Sequence, residues 1–228
     1  MPSRNVWLSP LGADQWIPAT LVFIPVITAC IALVSHGESG WWIPGILSFM
    51  VWLGFVLFFR DPKRIPPRAH DGCMMSPADG RISAITHLSH HESVNGPATV
   101  IRIFLSVLDV HINRVPWDGH VMSQVHRPGR YLDVRNPLSA QVNESMLLSL
   151  RAADGRLFGI RQVSGAIARR IVCLPRVGDR VIRGDRLGMI KFGSTTELIL
   201  AEADAAHILV RQGDRVVGGI TPLARFAH

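Results

Sequence analysis

The sequence predicts a mainly β (α+β) protein, with an N-terminal hydrophobic helical hairpin followed by a compact β-sandwich domain. Three observations carry this expectation. Two stretches near the start, Trp16 to Ser35 and Trp41 to Phe59, hold no charged residue. A Pro- and Arg-rich stretch, residues 60–72, follows them. From Cys73 onward, short β-branched runs alternate with turn-forming Gly, Asp and Pro, the pattern of an all-β domain.

Each uncharged stretch is close to the ~20 residues that a helix needs to cross a hydrocarbon core. Two core helices of a soluble fold are the alternative, because both stretches carry proline. A cleaved signal peptide fits poorly: two segments follow each other, and the first starts late without a basic leader. The intervening His36-Gly37-Glu38-Ser39-Gly40 has no Lys or Arg, whereas Arg60-Asp61-Pro62-Lys63-Arg64 and Arg68 follow the second stretch. By the positive-inside rule this basic collar faces the cytoplasm. The expected organisation is a membrane-anchoring hairpin over residues 1–59, a basic linker over 60–72 and a cytoplasmic domain over 73–228. Trp7, Trp16, Trp41 and Trp42 suit the bilayer interfaces.

The hydrophobic fraction is 48% and the formal net charge +7. No nucleic-acid-binding motif accompanies that charge, so anionic lipid is the favoured partner and nucleic acid is not expected. The three cysteines, Cys30, Cys73 and Cys173, form no CxxC pair, which fits neither a disulfide framework nor a zinc site. Lys63 and Lys191 are the only lysines. A pyridoxal enzyme needs a lysine for its cofactor, so this scarcity argues against pyridoxal.

Along the domain, Pro77-Ala78-Asp79-Gly80 reads as a turn before a strand at Arg81 to Ile85, and Thr99 to Leu105 is strongly β-prone. Between them His87-Leu88-Ser89-His90-His91-Glu92 reads as a polar loop whose histidine spacing matches no common metal site. Arg130 to Ser145 reads as an irregular excursion over an active site or a lipid surface. Leu147 to Leu150, Leu157 to Val163, Arg169 to Leu174 and Val216 to Thr221 are expected strands, with Asp154-Gly155 a hairpin turn. Gly178-Asp179 and Gly184-Asp185, set around Val181-Ile182, resemble the turns of lipoyl- and biotinyl-carrier domains.

The chemistry centres on Phe192-Gly193-Ser194-Thr195. Glycine has no Cβ, so its carbonyl is open to attack and it tolerates a strained turn. A serine hydroxyl beside that carbonyl can start an acyl shift if a base is in reach. A tight turn is the other use of the same dipeptide. Asp79 and His111 supply an acid and a base, completing an acid–base–nucleophile trio with Ser194.

Five segments fall in one order at familiar spacings: Phe58 to Pro62, Ser76 to Gly80, Phe104 to Pro116, Gly165 to Val172 and Arg186 to Ser194. In these the chain resembles the phosphatidylserine decarboxylase proenzymes of the short bacterial and archaeal type. The resemblance implies an enzyme of the inner membrane that cuts itself between Gly193 and Ser194. The products would be a β chain of residues 1–193 and an α chain of residues 194–228. It also implies that Ser194 becomes a pyruvoyl group, with no metal and no pyridoxal. Through a Schiff base, that group would turn phosphatidylserine into phosphatidylethanolamine and carbon dioxide. Asp79 and His111 resemble the maturation acid and base, and a homodimer follows from the family alone. For the substrate phosphate the candidates are Arg114, Arg127, Arg130 and Lys191.

Three departures from the family pattern stand out. Arg114 occupies the place where longer members of the family carry a second histidine, which leaves open whether His111 serves both cleavage and decarboxylation. Asn143-Glu144-Ser145 stands where short-form relatives often read Asn-Glu-Arg, and Thr195-Thr196-Glu197-Leu198 stands where many short forms have Arg and then a Val-Asp pair, with Thr195 matching the longer forms. Rival readings are a decarboxylase of a related serine phospholipid such as archaetidylserine, or a non-enzymatic, membrane-tethered carrier-like binding domain.

Overall fold

The computed structural model describes residues 7–133, 136, 138–166, 170–191, 194–204 and 207–226. It divides into two units, Arg4–Pro62 and Lys63–His228.

In the first unit, α1 (Ala13–Ser35) and α2 (Trp42–Phe58) are joined by a short 3-10 turn at Ser39–Trp41. Both are long and apolar enough to cross a membrane. Their outward side chains include Leu21, Val22, Ile43 and Leu47, all exposed, which is the reverse of a helix packed in a soluble core. The helices approach closely at Gly45, where an added Cβ would lie 3.1 Å from Cys30 Cβ. Trp52 Nε1 donates to Thr20 Oγ1 at 3.1 Å, and Thr20 Oγ1 donates to the Trp16 carbonyl at 2.8 Å. A polar side chain in an apolar pair is thus satisfied internally.

The second unit is mainly β, as the sequence predicts. In chain order its elements are β1 (Cys73–Met75), β2 (Gly80–His91), β3 (Gly96–Leu105), β4 (Ile112–Arg114), β5 (Gly119–Arg127), the short α3 (Ser139–Val142), β6 (Ser145–Arg151) and β7 (Leu157–Val163). They continue with β8 (Ile171–Cys173), β9 (Arg180–Val181), β10 (Arg186–Ile190), β11 (Ser194–Ala201), β12 (His207–Ile208), β13 (Arg215–Val216) and β14 (Pro222–Arg225). Antiparallel pairing builds an eight-stranded sheet in the order β13-β2-β3-β11-β7-β6-β5-β9. Two three-stranded sheets accompany it, β1-β14-β12 and β4-β10-β8.

Strand β11 lies inside the large sheet, and every residue from Ser194 to Leu200 is buried. Leu198 and Leu200 join the main core with Ile101, Ile103, Phe158 and Ile160. Ile199 points to the other face, among Val94, Ala98, Val100 and Leu147. Covering both faces explains why Leu198-Ile199-Leu200 reads as a continuous apolar run rather than an alternating one. Each such side chain contributes about 1.5–3 kcal/mol on burial.

Two local expectations change. His87 to His91 is not a loop: it is the outer half of β2, paired with β3 through His87↔Thr99 and His91↔Gly96. Its side chains mostly face solvent, so polar residues satisfy the strand there. Val216 to Thr221 is not one strand either. The chain leaves β13 at Val216 and turns, with Ile220 N–H and Thr221 N–H donating to the Val217 carbonyl at 3.1 and 2.9 Å. Gly219, at φ +74°, supplies the left-handed residue that this turn requires.

Candidate active site

One row of residues crosses most of the large sheet: Arg127, Ser145, Val163, Thr195, Phe104, Arg81 and Arg215 stand opposite one another in succession. This row marks the sheet end where the sequence candidates gather. Ser194 sits one residue outside it, opposite Leu105 at the end of β3.

After Leu105 the chain makes a capped turn. Asp109 Oδ2 accepts from Ser106 N–H at 2.8 Å and from Ser106 Oγ at 2.7 Å. His111 follows and enters β4, where Ile112 pairs with Met189 of β10. Strand β10 leads in turn through Lys191 toward Ser194. His111 and Ser194 therefore flank the same junction between two sheets. That junction is stitched by a buried side-chain chain: Gln162 Nε2 donates to Asn113 Oδ1 at 2.7 Å, and Asn113 Nδ2 donates to Thr196 Oγ1 at 3.1 Å. Asn113 and Thr196 each lie two residues beyond His111 and Ser194.

His111 is fully buried, and its Nδ1 meets the Asp109 carbonyl at 2.9 Å. A carbonyl only accepts, so Nδ1 carries the hydrogen and Nε2 is the basic nitrogen of the neutral ring. Ser194 is also fully buried, and its Oγ has no hydrogen-bond partner among the described residues. An unsatisfied buried hydroxyl costs about 1–3 kcal/mol. Phe192 and Gly193 lie outside the described residues. Cys173 offers no competing nucleophile: burial pushes its thiol up to about 12, opposed in part by a hydrogen bond to the Gln124 side chain, so it stays protonated at neutral pH.

Asp79 reaches the same region on the turn before β2. Gly80 is needed there, because at φ +146° an added Cβ would lie 2.0 Å from the Phe104 carbonyl oxygen. The turn is tied to β4 by Arg114 N–H donating to the Pro77 carbonyl at 2.8 Å. The Asp79 carboxylate is held by Arg64, with Nη2 to Oδ2 at 2.7 Å and Nη1 on Oδ1, and by Gly218 N–H to Oδ1 at 2.8 Å. The described bond that orients His111 comes from the Asp109 backbone, while the described bonds of Asp79 go to Arg64 and Gly218.

The four phosphate candidates separate. Arg114 is buried and donates from Nη1 to the Gly184 carbonyl at 3.0 Å. Lys191 is buried, its backbone N–H on the Arg170 carbonyl at 3.3 Å. Arg127 and Arg130 are exposed; Arg127 is ion-paired with Glu92, and Arg130 bridges Asn143. Sequence reasoning overlooked Asp109, Asn113, Gln162 and the role of Arg64. Asn113 is two residues from His111 and could have been suspected from that spacing, whereas no local signal marks Gln162 or Arg64.

The buried amide chain yields a test. Asn113→Ala leaves Gln162 and Thr196, both fully buried, each short of a partner. A stability loss of about 2–4 kcal/mol is expected, read as a lowered unfolding midpoint in detergent. An unchanged midpoint would show that the chain does not brace the junction.

The comparisons with known proteins supply the class, that of phospholipid-headgroup decarboxylases. The family model for phosphatidylserine decarboxylase matches residues 53–224. The chain is 44% identical over 200 residues to the phosphatidylserine decarboxylase proenzyme of Symbiobacterium thermophilum, covering 88% of this chain and 89% of that one. It is 38% identical to the proenzymes of Rhodopirellula baltica (88% and 84% covered) and Syntrophus aciditrophicus (94% and 97% covered). The chain belongs to the phosphatidylserine decarboxylase family.

Proposed function

We propose that this enzyme is a membrane-anchored proenzyme that cuts itself between Gly193 and Ser194 and then decarboxylates phosphatidylserine to phosphatidylethanolamine. The observation that carries the reading is the Ser194 hydroxyl, buried without a described partner at the start of β11, a strand whose Thr196 accepts a hydrogen bond from Asn113, two residues after His111. The word proenzyme in the relatives' names supports a processed precursor.

In this reading His111 Nε2 takes the Ser194 Oγ proton. The oxygen attacks the Gly193 carbonyl, the peptide C–N bond breaks and an ester forms, leaving the Ser194 amine free. Loss of the Ser194 α-proton then breaks the Cβ–O bond and expels the Gly193 carboxylate. The remaining enamine tautomerises, takes up water and releases ammonia, so residue 194 ends as a pyruvoyl group. Attack within one chain draws on an entropic advantage of up to about 7–11 kcal/mol. The group would be held at the buried start of β11, where Ser194 stands. When formed, its ketone supplies an electron sink for the bond to carbon dioxide. His111 would then hold the proton that the substrate Cα takes up. Arg127 and Arg130, exposed at the same sheet end, can meet a headgroup phosphate without exposing a buried charge, unlike Arg114 and Lys191.

The anchor is proposed to be the α1–α2 pair, with its ends on the cytoplasmic side as the basic residues after α2 favour. Its bilayer would be the cell (inner) membrane. A second copy is not required by any of these steps.

Intact mass of the purified wild-type chain tests the reading. Two fragments, residues 1–193 and 194–228, are expected, the smaller blocked to N-terminal sequencing. One unbroken chain with a free Ser194 hydroxyl in an active preparation would overturn it.

A further inference from the structure

We propose that Arg64 is a positioning residue for self-cleavage, acting through Asp79. The proposal rests on Asp79 being part of the maturation machinery. Both Arg64 terminal nitrogens face the carboxylate, and Nη1 also donates to the Gly218 carbonyl at 2.8 Å. Gly218 N–H in turn donates to Asp79 Oδ1 at 2.8 Å. Arginine, carboxylate and the Gly218 backbone close a ring in which each of the three residues bonds the other two. The side chains of Arg64 and Asp79 are only 9% and 13% exposed, so solvent competes little for these bonds.

The ring leaves Asp79 little freedom. Two guanidinium donors fix the plane of its carboxylate, and a point charge such as lysine does not reproduce that fork. Gly218 fits because an added Cβ would lie 3.1 Å from the Ala78 carbonyl carbon and 3.2 Å from Asp79 Oδ1. Arg64 itself is held by its neighbours in sequence. Pro66 and Pro67 restrict the backbone just after it, and Pro66 packs on Gly184, where an added Cβ would meet Pro66 Cγ at 2.7 Å. The segment that leaves α2 therefore reaches the domain carrying the group that sets Asp79. The consequence is an ordering device: the precursor cuts itself efficiently only once this segment is seated.

The test follows cleavage of newly made full-length precursor by intact mass. Arg64→Gln is expected to slow cleavage by about ten- to a hundredfold, the scale on which misplacement of a reacting group acts. Arg64→Lys should fall between the two. Guanidinium ion added to Arg64→Ala should restore part of the rate, and sodium chloride at equal ionic strength should not. In the uncleavable Ser194→Ala background, thermal unfolding of Arg64→Gln, Asp79→Asn and the double variant should be non-additive, the double resembling the worse single. Wild-type cleavage in Arg64→Gln, with slow cleavage in Asp79→Asn, overturns the proposal and spares the reading of Asp79. So does a slow Arg64→Gln that neither lysine nor guanidinium improves, or additive unfolding. Wild-type cleavage in Asp79→Asn removes Asp79 from maturation, and the proposal falls with it.

Discussion

Ser194→Ala is expected to remain one chain of 25.1 kDa and to release no carbon dioxide from phosphatidylserine. In the proposed reading one oxygen serves both stages. Without Oγ there is no acyl shift, so the Gly193–Ser194 peptide stays intact; without cleavage no ketone forms at residue 194. The substitution is conservative for the fold. Residue 194 is fully buried at the start of β11, and its hydroxyl makes no described hydrogen bond, so alanine removes an unsatisfied polar atom instead of a brace. Stability should be unchanged or slightly raised by this variant, by up to about 1–3 kcal/mol. Intact mass, carbon dioxide release and the unfolding midpoint together check the claim. A cleaved Ser194→Ala chain would end the assignment of the nucleophile. A marked loss of stability would instead show that the hydroxyl has a structural partner.

His111→Ala is expected to slow self-cleavage by about 10²–10⁴-fold, the usual contribution of a positioned base. The ring is aimed by the Asp109 carbonyl at 2.9 Å, and Asp109 is itself held by Ser106 and by Arg215 at 3.3 Å. The proposed base thus stands on a braced turn, which favours one orientation of the His111 ring. Because His111 is fully buried, alanine also leaves a cavity, so the rate must be compared with that of a volume-keeping variant such as His111→Gln. If glutamine restores cleavage, the ring acts by filling space; if both variants are slow, it acts by moving a proton. In material that does mature, turnover should fall as well, since Arg114 stands where a second histidine would share the work. Its guanidinium is buried on the Gly184 carbonyl, and arginine is a poor proton carrier near neutral pH.

Much of this protein was legible before any coordinates. The uncharged runs at Trp16–Ser35 and Trp41–Phe59 became α1 and α2 because length and composition alone decide whether a helix can be apolar all round. The apolar stretch Thr99 to Leu105 became most of β3, and Glu197 to Leu200 the middle of β11, because β-branched and apolar runs between turn residues have few other uses. The misreadings have equally physical causes. His87 to His91 has the composition of a loop, and only pairing with Thr99 to Gly96 makes it strand. Val216 to Thr221 has the composition of a strand, but Gly218 and Gly219 let it turn.

Chemical groups were set by the sequence; their partners were not. Ser194, His111 and Asp79 are candidates because the segments that carry them resemble the family's, and their roles remain proposals. What orients them is decided by register and by contacts between distant parts of the chain, such as Gln162 on Asn113, Asn113 on Thr196, and Arg64 on Asp79 and Gly218. Periodicity records which face of a strand is buried, a property of neighbouring residues. It carries no record of which buried polar group will stand opposite another, since that depends on how the whole sheet closes.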